Sequence, residues 1–177
     1  MCGTVCAVTE YVFFWGPGSR SGASVGSVGE ECLSQWWESP FTVDGHTFRT
    51  AEHFMMHGKA LLFGDEDIAR RVLAAATPGE AKSLGRRVRG FAEDTWVANR
   101  LDVVVRGNLA KFGAHDGARR FLLGTGDRVL VEASPLDRIW GIGLAADDPR
   151  AADPASWLGL NLLGEALMEV RARLRQG

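Results

Sequence analysis

Two short segments gather the residue types able to do chemistry. In Asp137-Arg138-Ile139-Trp140-Gly141-Ile142-Gly143-Leu144 a carboxylate and an indole share a stretch with two glycines. Glycines let a backbone come close to a ligand, and an indole face is a platform for a flat ring. In Thr50-Ala51-Glu52-His53-Phe54-Met55-Met56-His57-Gly58-Lys59, the residues Glu52, Met56 and Lys59 recur at i, i+4 and i+7, one face of a helix. A carboxylate and an amine on a largely apolar stripe need a partner or a task. Two carboxylates, Glu52 and Asp137, beside a planar group suit cleavage of a glycosidic bond. The developing oxocarbenium ion needs a nearby anion, and the leaving group needs a proton or a hydrogen bond. A leaving purine or pyrimidine would stack on Trp140.

Each residue also has a plainer reading. Glu52 alone would complement a helix N-terminus, and Trp140 alone would be a core aromatic. His53 and His57 sit at i, i+4, but the order Glu-His-x-x-x-His is not the zincin arrangement, and His46 and His115 have no partner at ligand spacing. No metal or other cofactor is therefore expected. Gly16-Pro17-Gly18 and Gly141-Ile142-Gly143 are too short for a dinucleotide fingerprint, and Ser34, Ser39 and Ser134 lack a nucleophile-elbow context. Lys82, Arg86, Arg87 and Arg89 could clamp a phosphate or form a solvated basic face.

The elements that must position these groups read as a mainly helical α+β domain, a single unit over residues 1–177. The chain has 177 residues, 46% of them hydrophobic, enough to bury a core, and a formal charge of −2, which argues against strong nucleic-acid binding. Cys2, Cys6 and Cys32 form neither a disulfide framework nor a zinc pattern. With no leader-like or membrane-spanning stretch, a cytoplasmic location is expected. Thr4–Trp15 suits a strand, and the Gly/Ser-rich residues 16–31 suit a mobile loop. Phe41–Phe48 alternates around Asp44-Gly45, a hairpin signal, and leads into Thr50 as N-cap of a helix running to about Phe63. A second helix is expected over Asp65–Ala76. A third follows the capping box at Thr77-Pro78-Gly79-Glu80 and carries Lys82, Arg86 and Arg89. Glu93–Phe112 follows, with Trp96, Leu101, Val104, Val105 and Leu109 as its apolar stripe. A short helix at Asp116–Leu123, a buried strand at Val129–Val131 and a last helix over Leu158–Arg175 complete the chain.

In this order and spacing the chain resembles the NADAR, or YbiA-like, family of N-glycosidases from Leu33 to Leu174. The resemblance is carried by Leu33–Gly45, by Thr50-Ala51-Glu52-His53 with Lys59, by Ala81-Lys82 with Gly85-Arg86, and by Trp96 and Lys111-Phe112. It continues in Leu130–Ser134, in Asp137 with Trp140-Gly141 and Gly143, and in Asn161–Gly164. It implies a compact, mostly helical fold that cleaves the bond between ribose C1 and a nitrogen. Implied substrates are ribosylaminopyrimidine intermediates of riboflavin synthesis or ADP-ribosylated guanine. Carried across by position, Glu52, Lys59 and Asp137 are implied catalytic residues. Trp96, Trp140, Gly141, Gly143, Lys82, Arg86 and Asn161 are implied substrate contacts. Lys59 matches a lysine able to attack an opened ribose as an imine-forming nucleophile or to stabilise charge. Met55, Met56, Leu62 and Phe63 would desolvate it, and Glu52 would oppose that by stabilising the ammonium. The chain departs from the common pattern at Gln35-Trp36 and Met56-His57-Gly58, which would reshape the pocket. The alternatives are a non-catalytic ADP-ribose or nucleotide-binding module, and a helical partner-binding protein.

Overall fold

The structure is a computed structural model that describes residues 9–16 and 28–177. Residues 1–8, which include Thr4–Val8 of the expected strand and both Cys2 and Cys6, lie outside the described residues, as do residues 17–27 of the expected loop.

Strand β1 (Tyr11–Phe14) pairs in parallel with β4 (Val129–Glu132), Phe14 opposite Glu132. Between them in sequence come a 3₁₀ turn at Glu30–Leu33, the hairpin β2 (Phe41–Val43) and β3 (His46–Phe48), and helices α1 (Ala51–Leu62), α2 (Glu66–Ala74), α3 (Pro78–Gly85), α4 (Glu93–Ala114) and α5 (Asp116–Gly124). After β4 comes the last helix, α6 (Leu162–Gln176). Helix α1 is the hub, packed on α2, α3 and α4, while α6 lies between α4 and β4.

Strand alternation divides the core at the parallel pair. Phe14 and Leu130 join the helical core of Met55, Met56, Val104 and Leu167. Val131 on the opposite face packs with Ile142 and Leu144 and with Tyr11, Phe13 and Trp157. Glu132, two residues past Leu130, is thereby on the helix-facing side.

The hairpin turns on Asp44 and Gly45, with φ of 50° and 78°. Phe41 and Phe48 face each other across it and cover Phe54 of α1. Thr50 caps α1, its hydroxyl accepting from the His53 amide at 3.4 Å. The capping box of α3 forms: the Glu80 amide donates to Thr77 Oγ1 at 3.2 Å, and Glu80 Oε2 accepts from the Ala76 amide at 2.8 Å.

Five expectations are corrected. Asp65 is the N-cap of α2, and the helix stops at Ala74 because Ala75, with ψ of 137°, leaves helical geometry. Arg86 is the C-cap of α3 and Arg89 lies beyond it. There its guanidinium pairs with buried Asp65 at 2.6 and 3.0 Å, which holds that carboxyl well below the usual carboxylate range. Leu101 of α4 is exposed, whereas Arg100, Asn108 and Lys111 are buried. The last helix begins at Leu162, not Leu158. The Leu158, Leu160 and Asn161 amides donate instead to carbonyls of Ile142, Arg138 and Gly141, at 2.9, 3.0 and 3.2 Å. The end of the expected loop, Glu30 and Glu31, is instead part of the turn Glu30–Leu33, which is folded against β1 and α5 and buries Cys32 and Leu33. Desolvation pushes the Cys32 thiol up to about 12.

Candidate active site

The candidate site opens beyond the carboxyl ends of β1 and β4, between α1 and α3 on one wall and the loop 133–144 on the other. Its helical wall depends on a close approach. A Cβ at Gly85 would stand 2.0 Å from Met56 Sδ, so only glycine lets α3 lie this near α1 and bring Lys82 and Arg86 toward Glu52. The start of α1 is tied to the preceding loop by the Glu52 amide, which donates to the Gln35 carbonyl at 3.0 Å.

A cavity of about 510 Å³ is lined by Glu52, Lys59, Lys82, Arg86, Trp96, Asp137 and Trp140, together with Met55, Met56 and residues 135–139. The structure thus brings seven of the ten sequence-derived site residues to one surface. Glu52 is 2% exposed and its Oε1 has no hydrogen-bond partner. Burial pushes its carboxyl up to about 7. Lys82, hydrogen bonding from Trp36 and Arg86 all favour the anion, while the charge of Asp137 opposes it.

Asp137 Oδ1 accepts from the Ile139 and Trp140 amides, each at 2.8 Å, so the carboxylate organises its own loop while lining the cavity. Lys59 is half-buried, with Nζ 4.2 Å from the Phe91 ring centroid and 5.6 Å from that of Trp96. Desolvation lowers its pKa, and the opposing carboxylate is Glu93 rather than the expected Glu52. Lys82 reaches from α3, its Nζ 6.0 Å from the Trp36 ring.

Gly141, Gly143 and Asn161 do not line this cavity. A Cβ at Gly141 would stand 2.8 Å from the Glu132 carbonyl oxygen, and Gly143 has a φ of +71° with its amide donating to the Asp137 carbonyl at 3.1 Å. Asn161 is in the left-handed region. Its Oδ1 accepts from the Glu132 amide at 3.0 Å and its Nδ2 donates to the Leu130 carbonyl at 2.9 Å. These three residues fix the loop and the end of β4.

Sequence reasoning did not single out Glu132 and Trp15, and it named Trp36 as a departure that would reshape the pocket; all three border the same cleft. Burial, with the charges of Asp137 and Glu52, pushes the Glu132 carboxyl up to about 8 against the pull of Lys82, and its Oε2 is buried without a hydrogen-bond partner. A signal for it was present: a glutamate with the inward parity of Leu130 at the end of an apolar strand. The histidines stand apart from the cavity. His53 spends its ring nitrogens on Thr50 Oγ1 at 2.8 Å and the Ala75 carbonyl at 3.2 Å, and His57 packs on His46 and Phe48. Among the described residues no group of three or more His, Cys, Asp or Glu side chains is placed to hold a metal ion. No helix among them is long and apolar enough to cross a membrane.

A family model described as the NADAR domain matches residues 13–175. An N-glycosidase of Acanthamoeba polyphaga mimivirus is 38% identical over 172 residues, covering 94% of this chain and 98% of that one. A chloroplastic riboflavin biosynthesis protein PYRR of Zea mays is 33% identical over 138 residues, 74% of this chain and 20% of that longer one. The solution structure of the E. coli protein YbiA superposes with a TM-score of 0.71 at 26% identity, covering 95% of this chain and 86% of that one.

Proposed function

The chain belongs to the NADAR family, and from that premise we propose that it is an N-glycosidase acting on a phosphorylated N-ribosyl compound. The bond cleaved joins ribose C1 to a nitrogen of a heterocycle or exocyclic amine. The substrate class is that of ribosylaminopyrimidine intermediates of riboflavin synthesis or ADP-ribosylated guanine. The observation that carries the reading is Glu52. A carboxyl this buried, with an oxygen left unpartnered on a cavity edged by Asp137, Lys82 and Arg86, is costly unless a ligand uses it.

As the C1–N bond lengthens, positive charge builds on C1 and the ring oxygen, and Asp137 supplies the facing anion. Glu52, poised near neutrality, takes the proton of the attacking water. Lys82 and the exposed Arg86 bind phosphate, and Trp96 and Trp140 give flat walls to the cavity. Lys59 acts as a cation, held by the Phe91 and Trp96 ring faces, which attract an ammonium and oppose the desolvation that lowers its pKa. Gly141, Gly143 and Asn161 act as scaffold for the loop. No metal takes part, so a chelator is expected to leave turnover unchanged.

The test is incubation with a panel of N-ribosyl compounds, with and without phosphate, and detection of the released base by mass. Release from phosphorylated members is expected. Tight binding of ADP-ribose with no release from any member would replace the enzyme with a binding module.

A further inference from the structure

The cleft continues past Glu52 into a second cavity. This one, of about 360 Å³, is bounded by the indoles of Trp15 and Trp36, by Leu136 and by the polar groups of Ser34, Ser134 and Glu132. Lys82 and Asp137 line both cavities, and a void of about 40 Å³ shares residues with each. The two glutamates fall on opposite sides of this constriction. Glu52 lines the larger cavity and the void, whereas Glu132 lines the smaller cavity and the void.

The mechanism above leaves Glu132 without a task, yet its placement is tightly held. Its amide donates to Asn161 Oδ1 and its carbonyl accepts from the Ile142 amide, both at 3.0 Å, and β1 pairs along its other edge. The fold fixes this backbone and still leaves Oε2 buried without a hydrogen-bond partner. Like Glu52 Oε1, that atom costs free energy until a ligand or a proton occupies it. The surrounding walls suit a flat ring, with two partly exposed indoles and two serine hydroxyls.

We propose that the second cavity receives the leaving heterocycle and that Glu132 is the catalytic acid that protonates its nitrogen as the C1–N bond breaks. This rests on the N-glycosidase reading and deepens it. The bonding pair departs with the nitrogen, which takes the Glu132 proton. Water adds its hydroxyl to C1 and gives its remaining proton to Glu52. Glu132 is then reprotonated and Glu52 deprotonated by solvent, so the net change is addition of one water. Three charged groups face Glu132: Glu52 from α1, Lys82 from α3 and Asp137 from the loop. Burial and the two carboxylates push its carboxyl up and favour the protonated form that an acid requires. The larger cavity, with Trp96, Trp140, Lys82 and Arg86, is left for the sugar and its phosphate.

The test compares wild type with Glu132→Gln on the panel compound cleaved fastest and on its N-methylated cation, whose base departs neutral without a proton. The variant is expected to lose at least ~100-fold on the parent compound, the scale of an acid–base group, and to stay within about 5-fold on the cation. Wild type should lose activity on the parent above about pH 8, and the variant should lack that alkaline limb. Equal losses on both compounds, or no loss on either, would overturn the assignment of Glu132 while leaving the N-glycosidase reading standing. A wild type that cleaves no panel member overturns both. In parallel, Trp36→Ala is expected to weaken inhibition by the free base about 10-fold, the scale of one lost stacking contact, and to leave inhibition by ribose 5-phosphate unchanged. The reverse pattern would move the base to the larger cavity.

Discussion

Lys111 and Glu52 are both ionisable, both deep in the protein, and used in opposite ways. Lys111 is completely buried on α4, and desolvation brings its amine down to about 7. Its Nζ nevertheless donates to the Ser34 carbonyl at 2.8 Å and lies 5.6 Å from the Trp37 ring centroid and 5.1 Å from that of Phe112, so its surroundings use it. Glu52 is buried almost as fully, but one of its oxygens meets no donor and the side chain borders a cavity. Burial and a displaced pKa are common to the two sites and do not tell them apart. An unsatisfied atom at a cavity wall does. By that criterion Lys111 is a strut that holds the Ser34 turn in place, and Glu52 and Glu132 are working groups.

The comparison can be broken at either end. The largest expected effect is on Glu52→Gln, which should lower turnover by at least ~100-fold while the fold stays intact. Near-normal turnover by a folded variant would remove Glu52 from the mechanism. Lys111→Ala should act on stability instead, costing about 2–5 kcal/mol for the cavity left and the lost bond to Ser34, read by denaturant unfolding. Turnover per folded molecule should be largely kept. If that variant proved stable but inactive, Lys111 would belong with the working groups. Arg86→Ala should raise KM about 10-fold with little change in kcat for phosphorylated substrates, and should do nothing for unphosphorylated ones. Smallest is Lys59→Arg, which keeps the charge and should hold turnover within a few-fold. Borohydride reduction with substrate should trap no adduct by intact mass, and an adduct at Lys59 with an inactive arginine variant would establish the covalent role instead.

Local chemistry made much of the fold readable in advance. Asp44-Gly45 encodes the hairpin, Thr50 the start of α1, and Thr77-Pro78-Gly79-Glu80 the capping box of α3. Pairings distant in sequence were not readable. Nothing in Tyr11–Phe14 indicates that it lies parallel to Val129–Glu132. Residues 158–161 carry a helix-like pattern whose backbone donors are instead taken up by the site loop. The same distinction holds in the site. Glu52 and Lys59 were visible because one helix face joins them, and Asp137 and Trp140 because one loop does. Glu132, Trp15 and Trp36 come together only through strand pairing and the turn that Lys111 anchors, so local spacing did not show that they share one cavity. The basic cluster divides for a related reason. Arg89 lies close to Lys82 and Arg86 in sequence, but its partner is Asp65 at the start of α2.

The central claim is that Glu52 is held buried with one carboxyl oxygen unpartnered, at a cost to stability, and the stability difference between wild type and Glu52→Gln across pH tests it most directly. The folded-state pKa of Glu52, about 7, lies above the ordinary 4.5. Its contribution to stability is therefore complete below pH 4.5 and is lost as pH rises through 7. Glutamine does not titrate, and it also removes the charge that helps push the Glu132 carboxyl up, which adds to the difference in the same direction. Between pH 4.5 and 8, wild type should accordingly lose stability relative to the variant by on the order of 2–3 kcal/mol. A difference that stays constant over this range, or that moves in favour of wild type as pH rises, would show that Glu52 is a satisfied carboxylate like any other and would contradict the account.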